Sequence, residues 1–115
     1  LVTILSESGT DELKIAALDI LYIKAADNYV EVFYLKEGNL IRKLIRNSLK
    51  NIAVNLAFDN TFLRCHKSYI INLQKVDHVT GNAQGYKLHV PGADELVPVS
   101  RSNNETVKKY FADHP

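Results

Sequence analysis

Three clusters of side chains in this sequence have the chemistry to hold an anion. Residues 64–69 read Arg-Cys-His-Lys-Ser-Tyr, which puts two permanent cations, an imidazole and a hydroxyl in one short stretch. Arg and Lys neutralise phosphates, and Ser hydroxyls add uncharged donors. Lys67 can also reach the acceptors on a guanine edge. Asn28 falls in a polar break between two apolar runs, and a carboxamide can pair bidentately with adenine. Ser100-Arg101-Ser102-Asn103 precedes an amphipathic stretch, and a helix N-terminus offers free amides and a positive dipole end to a phosphate. Each cluster also has a plainer role: a turn at Asn28, a pair between Arg101 and Glu105, a helix cap at the serines.

Catalysis and metal binding have weaker support. Cys65 and His66 suggest a thiol nucleophile with its base, but adjacent residues on an extended segment face opposite sides. His66, His78, His89 and His114 lie far apart, without the short spacing of zinc motifs. No Gly-rich phosphate loop and no nucleophile elbow is present. The reading is of a chain that is not an enzyme and holds no metal or cofactor.

The elements that must position these clusters follow from composition and pattern. At 115 residues the chain has the length of one domain. With 46% hydrophobic and 23% charged residues it matches ordinary folded usage, which excludes a disordered tail or a coiled coil. No apolar run approaches the ~20 residues of a membrane span, so no membrane contact is expected. A lone cysteine, Cys65, excludes a disulfide framework, and the expected location is the cytoplasm. The chain lacks methionine altogether, and it is read as a piece of a longer protein. Net charge is only +1 but unevenly spread. Over residues 1–41 three lysines face seven acids; over 42–75 seven cations face Asp59 alone; over 76–115 four cations face five acids. The central basic block is a candidate anion-binding face.

Alternating or β-prone runs predict strands at Val2–Leu5, Leu13–Ala17, Asp19–Lys24, Tyr29–Leu35 and Leu40–Leu44. Further short strands are expected at Phe62–Arg64, Tyr69–Leu73, Val76–Thr80, Tyr86–Val90 and Leu96–Val99, with Gly81-Asn82 and Gly85 among the breaks. Leu49, Ile52, Ala53 and Leu56 have helical spacing behind a cap at Asn47 or Ser48. Val107, Tyr110 and Phe111 mark a last helix capped by Ser100, Ser102 or Asn103. The expected class is α+β, mostly antiparallel β with about two helices. Tyr29, Tyr69, Ile70 and Ile71 are assigned mainly to the core, and Asn72, after an apolar run, to local backbone groups.

Three blocks in order resemble a known family. Asp19–Val30 (Asp-Ile-Leu-Tyr-Ile-Lys-Ala-Ala-Asp-Asn-Tyr-Val) resembles the opening signature of LytTR domains, the DNA-binding domains of LytR/AlgR-type transcriptional regulators. Phe62–Asn72 resembles that family's most specific motif, Arg-x-His-x-Ser-aromatic-apolar-apolar-Asn. Val97–Arg101 resembles its C-terminal signature. The match covers roughly residues 11–112. It implies an elongated β fold whose loops enter successive major grooves of double-stranded DNA. Carried over by position, it implies DNA contacts at Asn28 and Tyr29, at Arg64, His66, Lys67 and Ser68, and at Arg101, Ser102 and Asn103. Base reading falls to Asn28, Lys67 and Arg101. The resemblance further implies a bacterial two-component response regulator in which a receiver domain is joined to this output domain. It implies a homodimer on direct repeats, and it leaves a redox role for Cys65 open. The rival reading is a protein-interaction or dimerisation module without DNA binding.

Overall fold

The run Ile20-Leu21-Tyr22-Ile23 has no polar alternation, and an extended strand can carry such a run only when both its faces are covered. The computed structural model, which describes residues 1–115, places it so. All four side chains are fully buried in β3 (Ile20–Ala26), the middle strand of a five-stranded antiparallel sheet. Its neighbours are β4 (Tyr29–Lys36) and β7 (Tyr69–Asn72); β5 (Asn39–Ile45) and β6 (Phe62–His66) form the edges. A bulge between Ile20 and Tyr22 shifts the register against β4. Ile20 and Ile23 therefore serve one core, and Leu21 and Tyr22 the other.

The first core lies under the hairpin of β1 (Val2–Leu5) and β2 (Glu12–Ile15) and under helix α1 (Leu49–Asn55). Ser48 caps α1, its Oγ accepting from the Asn51 amide at 3.1 Å. Asn47 Nδ2 donates to the Leu5 carbonyl at 2.8 Å, which joins helix and hairpin. The second core lies under a three-stranded sheet, β8 (His78–Asn82), β9 (Gly85–His89) and β10 (Val97–Pro98), and helix α2 (Asn104–Asp113). The molecule is elongated, 41 × 29 × 25 Å, and the expected class of antiparallel strands with two helices is the one observed.

Several boundaries differ from the sequence reading. Ala17 leaves β2 for a 3-10 turn, Ala17–Asp19. The fourth and fifth strands meet at Glu37-Gly38, both with positive φ, the two-residue turn that matches strand twist. Gly81 and Asn82 are strand residues of β8, and the turn lies at Ala83-Gln84. Gly81 is there for space: at its φ of +99° a Cβ would sit 2.5 Å from the Gly85 oxygen. β10 is two residues long rather than four, although the Val99 amide still donates to the Tyr86 carbonyl at 2.9 Å.

Two polar ties fix the layers. Asn72, 1% exposed, donates to the carbonyls of Ala17 (3.2 Å) and Ile20 (2.9 Å) and accepts from the Gln74 amide (3.1 Å). Glu95, in the β9–β10 connection, accepts from the hydroxyls of Tyr22 and Tyr69, each at 2.9 Å, and from Lys24 Nζ at 3.2 Å. Burial pushes the Glu95 carboxyl up, but the two hydroxyls and the ammonium outweigh it and hold it below the ordinary carboxylate range. Desolvation and then Glu95 raise both phenols, and the bond that Lys24 donates to Glu95 raises Lys24.

Asn72→Ala should therefore destabilise the fold by about 1–3 kcal/mol by stranding buried backbone groups. The check is the urea midpoint at unchanged m; a shift worth less than about 0.5 kcal/mol would place Asn72 among surface-like positions. Glu95 carries a pH signature. Its depressed carboxyl contributes stability above the ordinary value near 4.5 and loses it as pH falls through the depressed value. Wild type should exceed Glu95→Gln by a roughly constant margin between about pH 5 and pH 8, shrinking on further acidification. A margin that stays flat down to about pH 3 would show that the negative charge is not what holds this tie.

Candidate nucleic-acid interface

Strand pairing decides which turns share an end of the sheet. The antiparallel register Lys24↔Tyr69 puts the β3–β4 turn (Asp27-Asn28) beside the β6–β7 turn (Lys67-Ser68). The Ala25 amide donates to the Ser68 carbonyl at 2.9 Å and locks the two together. The register Ile45↔Val30 brings the end of β5, with Arg46, to the same place. Asp27 adopts a left-handed φ of +56°, tolerable for a short polar side chain, and so turns the chain at Asn28.

Tyr29 departs from the core assignment. It is 40% exposed, with the Arg46 guanidinium 5.6 Å over its ring. Tyr69, Ile70 and Ile71 are buried as expected.

The Arg64–Ser68 turn is braced from within. Arg64 Nη2 donates to the Lys67 carbonyl at 2.9 Å. The Ser68 amide donates to His66 Nδ1 at 3.1 Å, so the neutral imidazole carries its proton on Nε2. Burial, then the charges of Lys67 and Lys87, lower the His66 pKa. His66 thus offers a donor rather than a full charge at neutral pH.

The third segment is clamped to this turn through one carbonyl. The Ser100 amide (2.8 Å), Ser100 Oγ (3.2 Å) and Asn103 Nδ2 (3.1 Å) all donate to the oxygen of Cys65. Asn103 Nδ2 also lies 2.7 Å from Ser100 Oγ. None of the three expected caps makes a side-chain bond to the helix start: a 3-10 turn, Arg101–Asn103, leads into α2 instead. Arg101 reaches Gln84 Oε1 at 3.4 Å rather than Glu105.

The clamp creates an open cleft of about 370 Å3 lined by Arg64, His66, Lys67, Ser100, Ser102 and Asn103. No carboxylate and no apolar side chain lines it. Asn28 and Tyr29 stand outside this cleft, at the same end of the sheet, and Arg101 stands toward Gln84. His66 and Ser100 also border a second depression of about 340 Å3, which includes Gln84 and Lys87. Sequence reasoning missed both residues, because only tertiary packing brings the β8–β9 turn to Ser100.

The basic block is not a single face. Arg42 pairs with Glu31, and Lys43 lies 3.6 Å from Asp11. Lys75 follows β7 at the far end of the sheet. The Cys65–His66 reading has no geometric support: Cys65 is fully buried, its Sγ donates to the Pro98 carbonyl at 3.4 Å, and burial pushes the thiol up to about 12.

Comparison with known proteins adds three findings. A family model described as the LytTr DNA-binding domain matches residues 12–112. An uncharacterized response regulatory protein of Vibrio cholerae serotype O1 is 32% identical over 97 residues, covering 84% of this chain. The chain spans 36% of that relative's length. A solved Bacillus cereus structure, described as the LytTr DNA-binding domain of a methyl-accepting/DNA response regulator, superposes with a TM-score of 0.69 at 20% identity. That likeness of fold covers 98% of this chain and 95% of the other.

Proposed function

The chain belongs to the LytTr DNA-binding domain family, and from that premise we propose that it reads a specific double-stranded sequence as the output domain of a bacterial transcriptional regulator. The observation that carries this reading is the convergence of three separate segments, around residues 28, 64–68 and 100–103, at one end of the central sheet.

Each residue then has a role set by its surroundings. Asn28, presented by the left-handed Asp27, reads a base edge, and Tyr29 with Arg46 flanks it against the backbone. Lys67, at the apex of its turn with no acidic partner, reads a second edge, and Arg101 reads a third. Arg64, His66, Ser68 and Ser102 contact phosphate or brace the turn. Asn103, its amide nitrogen committed to Cys65 and Ser100, holds the segments together. Entry of these loops into successive major grooves is part of the same proposal. A homodimer on direct repeats and a receiver domain elsewhere in the full protein complete the proposal. The 36% share of the longer relative leaves length for such a domain there.

The test is selection from a random duplex library at two salt concentrations, followed by fluorescence anisotropy on the enriched sequence. Enrichment of a short motif, with affinity falling steeply in salt, supports direct readout. No enrichment and no salt-dependent binding, even from a tethered dimer, would favour the protein-interaction module. Within the positive outcome, Lys67→Ala should cost about 1–3 kcal/mol and relax preference at one base position. Equal losses on selected and random duplex would reduce Lys67 to a phosphate contact.

A further inference from the structure

The β8–β9 hairpin belongs to none of the three DNA-contacting segments above, yet it is fastened to the third. Asn104, buried at the start of α2, donates through Nδ2 to the carbonyls of Ala83 (3.2 Å) and Asn82 (3.5 Å). Arg101 Nη1 meets Gln84 Oε1 at 3.4 Å. Gly85 allows the close approach: a Cβ there would lie 3.0 Å from the Val99 oxygen. The hairpin tip therefore has a fixed position relative to Ser100 and Arg101.

Lys87 projects from this fixed hairpin on the face opposite its buried neighbour Leu88, in register with Thr80 and Pro98. It is exposed and enters none of the molecule's ion pairs. It borders the depression that shares His66 and Ser100 with the Arg64–Lys67 cleft. No carboxylate lines either depression. Two cations on one side of the His66–Ser100 ridge and one on the other form a continuous positive strip, suited to consecutive phosphates of one strand.

We propose that the β8–β9 hairpin is a fourth DNA-contacting element, in which Lys87 neutralises a backbone phosphate next to those met by residues 64–68 and Gln84 is a positioning residue that aims Arg101. This rests on the DNA-binding reading and adds a segment to it. Lys87 has no base-reading task, so its loss should weaken all duplexes alike. Gln84 acts only through Arg101, so its loss should relax preference at the base Arg101 reads.

The experiment is anisotropy on the selected and a random duplex between about 50 and 200 mM salt, with wild type, Lys87→Ala, Gln84→Ala, Arg101→Ala and Gln84→Ala/Arg101→Ala. A thermal melt establishes that each variant is folded. For Lys87→Ala the expected result is an equal fold-loss on both duplexes and a salt slope lower by about 0.9, the share of one phosphate. The wild-type advantage should then shrink about threefold over that fourfold rise in salt. Gln84→Ala should broaden base preference at one position and add nothing to Arg101→Ala in the double variant. If wild type binds while Lys87→Ala keeps its affinity and slope, the hairpin is a spectator and the fourth contact is overturned. Independent, additive losses from Gln84 and Arg101 would overturn the positioning role. If wild type shows no salt-dependent binding to any duplex, the underlying reading fails, and this inference with it.

Discussion

One backbone oxygen organises the cationic end of the molecule. The Cys65 carbonyl receives three donors, two from Ser100 and one from Asn103, across a gap of more than thirty residues in the chain. A carbonyl has two lone pairs, so three donors share it, each at a working distance of 2.8 to 3.2 Å. The bond fixes where the 100–103 segment lies against the Arg64–Ser68 turn. Cys65 can serve in this way because its side chain is locked into the second core and its Sγ is committed to Pro98. The residue that suggested a nucleophile is thus an anchor whose backbone matters more than its thiol.

The electrostatics follow from what is paired elsewhere. A net charge of +1 gives little hint of an anion-binding end. Yet four acids are engaged by other cations: Glu31 by Arg42, Asp11 by Lys43, Glu12 by Lys14, Glu95 by Lys24. Arg64, Lys67, Lys87 and Arg101 are left without carboxylate partners. The exposed pairs among them, Glu12–Lys14 and Asp11–Lys43, contribute little to stability. Their effect on function is to shape the field, so that a nearly neutral domain presents one positive edge.

Much of the frame was legible in the residues. The 49–56 helix was readable from apolar spacing and a serine cap, and the strands over Asp19–Lys24, Tyr29–Leu35 and Leu40–Leu44 from their β-prone runs. The turns around residues 28 and 67 were legible as polar breaks, and the motif resemblance gave them a shared purpose. What escaped was whatever depends on side chains from distant segments. Tyr29 looks like a core aromatic until Arg46 is seen lying over it. Asn103 looks like a cap until the Cys65 carbonyl captures its amide. Arg42 and Lys43 look like part of a binding face until acids from the N-terminal third reach them. Lys87 carries no local signal, since only the packing of β8–β9 against the start of α2 brings it to the depression beside the cleft.

The clamp on Cys65 also bears on the order in which contacts form during folding. The first core closes between residues 2 and 70, and the β6–β7 turn can form with it. The turn's brace, however, comes from Ser100 and Asn103, 35 and 38 residues further along the sequence. Contacts of such sequence separation form late, because the intervening loop must close first. The reading surface is therefore completed only when residues 100–103 dock on the Cys65 carbonyl, so loss of that segment would leave the first core intact and the surface unfinished.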